Sequence, residues 1–416
     1  MSVTDICRDA AEASATVKTL TTAEKDRVLL DMTTAIADHR GKILEANGQD
    51  VQVARDGGIS DTLADRLTLT ERRTAGLIEA ITTIAALPDP VGQVVAGWTR
   101  PNGLLVEQIR EPLGVVAVIY EARPNVTAEV AALCLKSGNC AVLRGSSTAM
   151  ATNTAIMAAL AEAIARHPGT PAAAVQLIRD PSRDGALELM RAKGYVDLLV
   201  PRGGPELIAQ VERDATVPTV IDGAGNCHVY IDSSADRRMA TEVAVNAKAS
   251  RPSVCNAMET LLVHEELVHD WLPGALDALA AEGVEIRGCP AVCGAWPSAV
   301  AATEADWGTE YLGLALAVKV VKDASEAIAH IARWGTSNAE GIVASDIRVA
   351  RRFAREVDSG SVFVNTSTRY SDGGEFGYGV EIGVSTQKLH VRGPMGLEAL
   401  TTVKNVVWGD GQTRVL

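Results

Sequence analysis

From residue 114 onward the chain repeats one pattern, a short apolar run followed by a longer stretch with helical spacing. GVVAVIY is followed by NVTAEVAALCLKSG, and NCAVLRG by SSTAMATNTAIMAALAEAIARH. AAVQLI, SRDGALELMRAKG, VDLLV, PELIAQVERD and VPTVID carry the alternation to residue 222. Runs of Val, Ile and Leu without a polar face have to be covered on both sides, and a parallel strand followed by a crossover helix covers them. The pattern therefore predicts βαβ units in a doubly wound α/β domain. It restarts near residue 228 with HVYID, the helix RRMATEVAVNAKAS and the strands ETLLVH, LALAVKVV, EGIVAS and SGSVFVN. A second doubly wound α/β domain is expected there, since 416 residues exceed what one ordinary core holds.

The first hundred residues read as helices instead. TTAEKDRVLLDMTTAIADHR places Val28, Leu29, Met32 and Ile36 at helical spacing, with Thr21 or Thr22 as N-cap. KILEANGQDVQVARDGG is a second amphipathic segment, closed by Gly57 and Gly58. TRPNGLLVEQIREPLG has the look of a hairpin, and the tail TTVKNVVWGDGQTRVL contains another strand. Both are suited to extending a sheet between subunits.

A net charge of −13 argues against an extended nucleic-acid surface, but leaves room for a local Arg/Lys pocket that takes an anionic substrate. The N-terminus MSVTDICRDAAEASATVKTL has no basic segment leading into an apolar one, so no signal peptide is expected, nor any membrane span. Seven scattered cysteines fit reduced thiols in the cytoplasm rather than a disulfide framework. The close pair in CPAVC, Cys289 and Cys293, lacks a second pair, so no metal site is expected. His228 and His264 lie in or beside strand-like runs and read as packed side chains.

No GxGxxG follows the first strand, so the usual dinucleotide fingerprint is missing. Two strand-to-helix junctions offer an alternative. VLRGSST ends a strand at Arg144, Gly145 and Ser146, and LVPRGGPELI sets Gly203 and Gly204 before a helix with Pro205 in its first turn. Free N–H groups and the helix dipole favour phosphate at such places, although each reads equally well as a plain turn. SVCNAMET holds Cys255 between a loop and a strand. It is either a buried small hydrophobe or a thiolate nucleophile.

VDLLVPRGG, SVCNAMETLLVH and FGYGVEIGVSTQKLHVRGPMGLEALT resemble the gamma-glutamyl phosphate reductase family, within the aldehyde dehydrogenase superfamily, over essentially the whole chain. The resemblance implies a cofactor-binding domain over 1–97 and 113–227 and a catalytic domain over 228–395. It implies an oligomerisation element over 98–112 and 396–416, in a homo-oligomer. The activity implied is NADPH-dependent reduction of L-glutamate 5-phosphate to L-glutamate 5-semialdehyde through a cysteine thioester, in proline biosynthesis, with channelling from glutamate 5-kinase. Cys255 matches the nucleophile and Asn125, in YEARPNVT, the asparagine whose amide helps form the oxyanion hole. Arg144, with Gly145 and Ser146, stands where relatives contact the adenine ribose; Gly203 and Gly204 lie near the diphosphate, and Glu310 matches a contact to the nicotinamide ribose. Ser146 and Thr148 depart from the family run RGGSEA.

The residues bear on the same chemistry independently. A thiolate displaces phosphate and leaves a thioester that accepts hydride more readily than the acid does. Backbone N–H groups, Arg251 or Lys248 are candidates for lowering its pKa. Asn125 also precedes a helical pattern and reads equally as an N-cap. RGSSTAM carries a cation and hydroxyls but no acid, which favours NADPH over NADH. Arg123 and Arg369 are each either a carboxylate or phosphate clamp or a structural ion pair. Three rivals stand: a hydrolytic aldehyde dehydrogenase, a cysteine acyltransferase without nicotinamide, and a non-catalytic scaffold. Against the first, Ile221 falls where hydrolytic relatives place a glutamate base.

Overall fold

The computed structural model describes residues 1–414, with Thr62 described by its backbone alone; the last two residues of the expected 396–416 element lie outside the described residues. Two compact units emerge. One comprises residues 1–221, 377–383 and 395 onward, the other 222–376 and 384–394.

The first unit opens with α1 (Val3–Val17), α2 (Thr22–Asp38), α3 (Arg40–Asp56), α4 (Asp61–Leu67) and α5 (Glu71–Ala86). The α2 terminus is a capping box: Thr21 Oγ1 accepts from the Glu24 N–H while the Glu24 carboxylate accepts from the Thr21 N–H. Val28, Leu29, Met32 and Ile36 are fully buried on its inner face. Gly58, at φ 79°, turns the chain out of α3.

A hairpin follows, β1 (Val94–Thr99) and β2 (Leu105–Pro112). The alternating run is β3 (Val115–Tyr120), α6 (Asn125–Lys136), β4 (Cys140–Gly145) and α7 (Met150–Ala165). It continues with β5 (Val175–Leu177), α8 (Arg183–Met190), β6 (Leu198–Arg202) and α9 (Pro205–Asp214). The four strands are parallel in the order β5-β4-β3-β6. That order reverses between β3 and β6, and the crevice outside the carboxyl ends of such a pair is where open α/β sheets take ligands. The expected strand VPTVID contributes only an isolated bridge, Thr219 to Leu199, because Pro218 has no N–H for a ladder. The segment Ser147–Ala165 is long and apolar enough to cross a membrane by length and composition, yet half of it is buried, and α7 packs against α2 and α3.

The second unit holds β7 (Cys227–Ile231), α10 (Arg237–Ala249), β8 (Met258–His264), α11 (Leu272–Ala281) and β9 (Glu285–Gly288). Next come α12 (Pro290–Ala295), β10 (Val300–Ala301), β11 (Ala315–Val321), α13 (Ala324–Trp334) and β12 (Ala339–Val343). The unit ends with α14 (Ile347–Glu356), β13 (Ser361–Val364) and a short antiparallel pair, β14 (Val384–Ser385) and β15 (Gly393–Pro394). Seven strands form a parallel sheet in the order β10-β9-β11-β8-β7-β12-β13. The doubly wound α/β expectation holds for both units. Finally β16 (Thr401–Trp408) returns to the first unit and pairs antiparallel with β2, giving a separate sheet β1-β2-β16.

The boundaries differ from those expected at 227/228 and 98. Residues 222–227 join the second unit because Asn226 Nδ2 donates to the carbonyls of Trp307 and Trp334, both at 2.8 Å. Residues 377–383 return to the first, where the Ile382 N–H donates to Met395 O at 2.9 Å. The hairpin begins at Val94, four residues before the expected start at 98.

Candidate active site

Cys255 lies in the turn between α10 and β8, at the amino end of the seven-stranded sheet, and is partly exposed. Cys289 and Cys293 are partly exposed too, but they are tied into local backbone: Cys293 Sγ donates to Gly288 O and Cys289 Sγ accepts from the Val320 N–H. The backbone of Cys255 rests on the segment before β7. A Cβ on Gly225 would overlap the Cys255 carbonyl, and Cys227 Sγ donates to that carbonyl at 3.2 Å. Burial pushes the Cys227 thiol far up, so it is a protonated support. Glu310 holds this platform, its Oε1 accepting from the Gly225 N–H at 2.7 Å.

The other side of the loop is fixed by the segment after β13. Thr368 Oγ1 donates to Asn256 O at 2.8 Å, and Asn256 Nδ2 donates to Ser371 O at 3.0 Å. The Arg369 guanidinium donates to Asn256 Oδ1 and to Ser250 Oγ, the latter at 3.3 Å. Burial, then the neighbouring Arg251 guanidinium, lower the Arg369 pKa, while Asp372 and the Cys255 and Cys227 thiols oppose the shift. The Arg369 guanidinium thus bears directly on the residue after the cysteine and lies in the field of the Cys255 sulfur, a setting that favours a thiolate. Lys248 is no part of it. Its ammonium is fully buried and paired with Glu259.

In the first unit Asn125 is the first residue of α6, the cap position belongs to Pro124, and the Asn125 side chain makes no cap bond. The N-cap reading is therefore replaced: Asn125 Nδ2 donates to Glu129 Oε2 at 2.9 Å, one turn along the helix. Ala122, at φ 40°, bends the chain sharply from β3 into this helix, a left-handed conformation that costs an L-residue about 1–2 kcal/mol. Arg123 is partly exposed and makes no ion pair among the described residues. Burial raises the Glu129 pKa, against the Asn125 bond and the fields of Arg202 and Arg123.

The two junctions proposed for the cofactor are not equivalent. At the first, Arg144 donates to the carbonyls of Pro181 and Ser182 at 3.0 and 2.9 Å, and Ser146 and Thr148 share a 2.6 Å hydrogen bond. Gly145 leaves no room for a Cβ beside Asn153 and Tyr120. The N–H groups of Ala151 and Thr152, which the α7 terminus would offer to an anion, already donate to the Asp50 carboxylate. That terminus is closed by the protein itself, since orphan donors at a helix start take whatever acceptor is near. At the second junction the Gly204 N–H, at the start of α9, donates to Glu121 Oε2 at 2.8 Å. A Cβ on Gly203 would stand 2.6 Å from the same oxygen. Glu121 is exposed, so this terminus is occupied by a displaceable carboxylate at the β3–β6 switch point.

Glu121, Asp50, Glu129 and Cys227 were not found by sequence reasoning. Only Glu121 carried a signal there, as the first charged residue after an apolar strand. Ile221 is buried, with an aliphatic side chain and no carboxylate.

Residues 1–285 match the family model described as "Aldehyde dehydrogenase family". The gamma-glutamyl phosphate reductase of Carboxydothermus hydrogenoformans is 50% identical over 412 residues, covering 99% of each chain. That of Clavibacter michiganensis subsp. michiganensis is 52% identical over 409 residues, covering 98% of this chain and 94% of its own. The crystal structure of the Thermotoga maritima gamma-glutamyl phosphate reductase superposes with a TM-score of 0.97 at 43% identity, covering 100% of both chains. An acetylating aldehyde dehydrogenase from Geobacillus thermoglucosidasius shares the fold, with a TM-score of 0.68 at 18% identity over 100% of this chain and 98% of its own. With that identity sustained from end to end, the chain belongs to the aldehyde dehydrogenase family and, within it, to the gamma-glutamyl phosphate reductases.

Proposed function

We propose that the chain reduces L-glutamate 5-phosphate to L-glutamate 5-semialdehyde with release of phosphate, using NADPH, as a step of proline biosynthesis. The observation that carries this reading is the cysteine loop, where a partly exposed cysteine is held by backbone contacts on one side and lies in the field of the Arg369 guanidinium on the other. Its Sγ attacks the acyl carbon, the carbon–oxygen bond to phosphate breaks, and a thioester remains. The Asn125 amide and the Cys255 N–H donate to the oxyanion of each tetrahedral species. NADPH supplies hydride to the thioester carbonyl when bound. Collapse of the resulting hemithioacetal returns the thiolate and frees the aldehyde. Arg123 and Arg369 are assigned to the anionic ends of the substrate.

The β3–β6 switch point fits the cofactor diphosphate at Gly203 and Gly204, where Glu121 stands in for an anion. Arg144, Gly145 and Ser146 are assigned to the adenine ribose, and Glu310 to the nicotinamide ribose. RGSSTAM lacks the acid that would repel a 2′-phosphate, which supports NADPH. Seven free thiols support a reducing cytoplasm. The chain works as a homo-oligomer joined through its three-stranded sheet and receives its labile substrate from glutamate 5-kinase.

The test runs the reaction backwards, because the acyl phosphate decomposes. With Ile221 in place of a carboxylate base, water at the thioester is poorly activated, whereas phosphate attacks as an anion. NADPH formation from glutamate 5-semialdehyde is expected to require phosphate or arsenate. Without either, a burst of at most about one NADPH per active site is expected. Sustained turnover without either anion would mean that water resolves the thioester, and the reading would be dropped.

A further inference from the structure

The Glu129 carboxylate accepts a single hydrogen bond, from Asn125 Nδ2, and makes no ion pair among the described residues. A carboxylate has about four lone-pair sites, so most of its acceptor capacity is unspent. It is partly buried, and an ionised carboxylate withdrawn from water is costly until a cation meets it. Arg123 and Arg202 act on it only through their fields. Together these residues form a small constellation beside the oxyanion donor: guanidinium groups and one carboxylate short of a cation.

The substrate read above carries a matching set of charges, an α-carboxylate, a phosphate and one α-ammonium. We infer that Glu129 binds the α-ammonium of the substrate and is the residue that selects an amino acid over its des-amino analogue. This rests on the reading of L-glutamate 5-phosphate as substrate. The distances agree. Four bonds separate the reacting carbonyl carbon from the α-nitrogen, roughly 5 Å when extended. Asn125 Nδ2 and Glu129 Oε2 stand 2.9 Å apart, and a hydrogen bond of about 2.9 Å from each reaches substrate atoms about 5 Å apart. A substrate whose carbonyl oxygen meets the Asn125 amide therefore reaches Glu129 with its ammonium. An analogue without the amino group leaves the carboxylate unpaired, and a site built around a polar partner rejects such analogues strongly. The ammonium also cancels a negative charge that would otherwise oppose the oxyanion.

The alternative role for Glu129 is only to orient Asn125, and Glu129→Gln separates the two. Glutamine Oε1 still accepts from Asn125 Nδ2 but carries no charge. Wild type and variant are assayed in the oxidative direction with glutamate 5-semialdehyde and with 5-oxopentanoate, which lacks the amino group. Wild type is expected to prefer the amino substrate by at least about tenfold in kcat/KM, and the variant by less than about threefold, with the change carried by KM. An unchanged ratio, or equal loss of kcat with both aldehydes, would overturn the assignment. Glu129→Asp, which keeps the charge, is expected to keep the preference, and it serves if the glutamine variant does not fold. A second arm titrates L-glutamate and glutarate into Cys255→Ala protein by calorimetry, reading the ammonium preference without turnover. Equal affinity for the two would overturn the role of Glu129, whereas a wild type without phosphate-dependent turnover would overturn the functional reading itself.

Discussion

Gly225 is glycine for want of space: any Cβ there meets the main chain of Cys255, which cannot swing aside as a side chain can. Gly225→Ala is expected to destabilise by about 1–3 kcal/mol through overpacking and to lower kcat about a hundredfold by displacing the nucleophile. Turnover and melting temperature together check this, and a wild-type kcat would show that the loop tolerates the shift. Cys255→Ala, by contrast, is expected to abolish turnover with NADPH affinity and melting temperature nearly unchanged; retention of more than a few per cent of activity, about the level of contaminating wild type, would remove Cys255 from the mechanism. At the other site, Glu121→Ala frees the Gly204 N–H and removes a negative charge from the helix start. Its Kd for NADPH is expected to tighten by about fivefold at low salt, in line with a helix-terminus charge effect of about 1 kcal/mol; a titration showing weaker binding would make Glu121 a cofactor ligand instead. Cys255 was legible in the sequence because its motif is local. Gly225 and Cys227 were not, because Cys227 meets Cys255 across 28 residues, Gly225 across still more, and the meeting is made by a strand pairing that no local pattern states.

The elements around the cysteine loop are held by buried polar pairs. Lys248 on α10 and Glu259 on β8 form a fully buried ion pair, and Glu259 Oε1 also accepts from the Leu312 N–H at 3.1 Å. Burial pushes the Glu259 carboxyl up to about 7 despite the lysine. Lys248→Met is expected to cost about 3–5 kcal/mol because it strands the carboxylate, and Lys248→Met with Glu259→Gln to recover most of that, since both charges are then gone and the glutamine oxygen still accepts from the Leu312 N–H. Chemical denaturation of wild type, Lys248→Met, Glu259→Gln and the double variant checks the coupling; additive effects would mean that the pair is not a unit. On α13, burial and then the His228, Lys319 and Arg333 neighbours push His330 down to about 3. A base whose folded pKa lies below its unfolded value of 6.5 stabilises the fold above 6.5, and that contribution fades as pH falls through 6.5 toward 3. Stability is expected to fall by about 1.4 kcal/mol per pH unit from this group below 6.5, and His330→Phe to flatten the slope by one proton. Most elements were legible because the strands are rich in Val, Ile and Leu, β3 being wholly apolar but for its last Tyr120 and buried at every position. The strands β9 and β10 were not, since Glu285 and Arg287 alternate with Ile286 on the short β9, and β10, at the sheet edge, has only two residues.

At the scale of the molecule, the alternating pattern announced two α/β units, but not that the chain recrosses between them. Residues 377–383 rejoin the first unit through contacts such as Gly379 on Leu87, a pairing nearly three hundred residues apart. The sheet β1-β2-β16 is the third part of the chain, and its outer strands β1 and β16 each have one unpaired edge among the described residues. Val94, Val95, Trp98, Leu105, Val403, Val407 and Trp408 are all exposed on it. Exposed apolar side chains gathered on a small sheet with two open edges, with Lys404 the one charge on β16, mark a surface that another strand or sheet covers. The proposed partner is a second copy, whose own sheet presents the same edges and the same face. Val403 and Val407 share one face of β16 by the two-residue repeat of a strand. The double substitution Val403→Glu with Val407→Glu places like charges against each other across such an interface without touching either α/β core. Light scattering after size exclusion is expected to show the wild type as an oligomer and the variant at the 43.7 kDa mass of one chain, with its far-UV spectrum retained. A variant that keeps the wild-type mass would show that subunits meet through another surface, and the three-stranded sheet would lose its assignment.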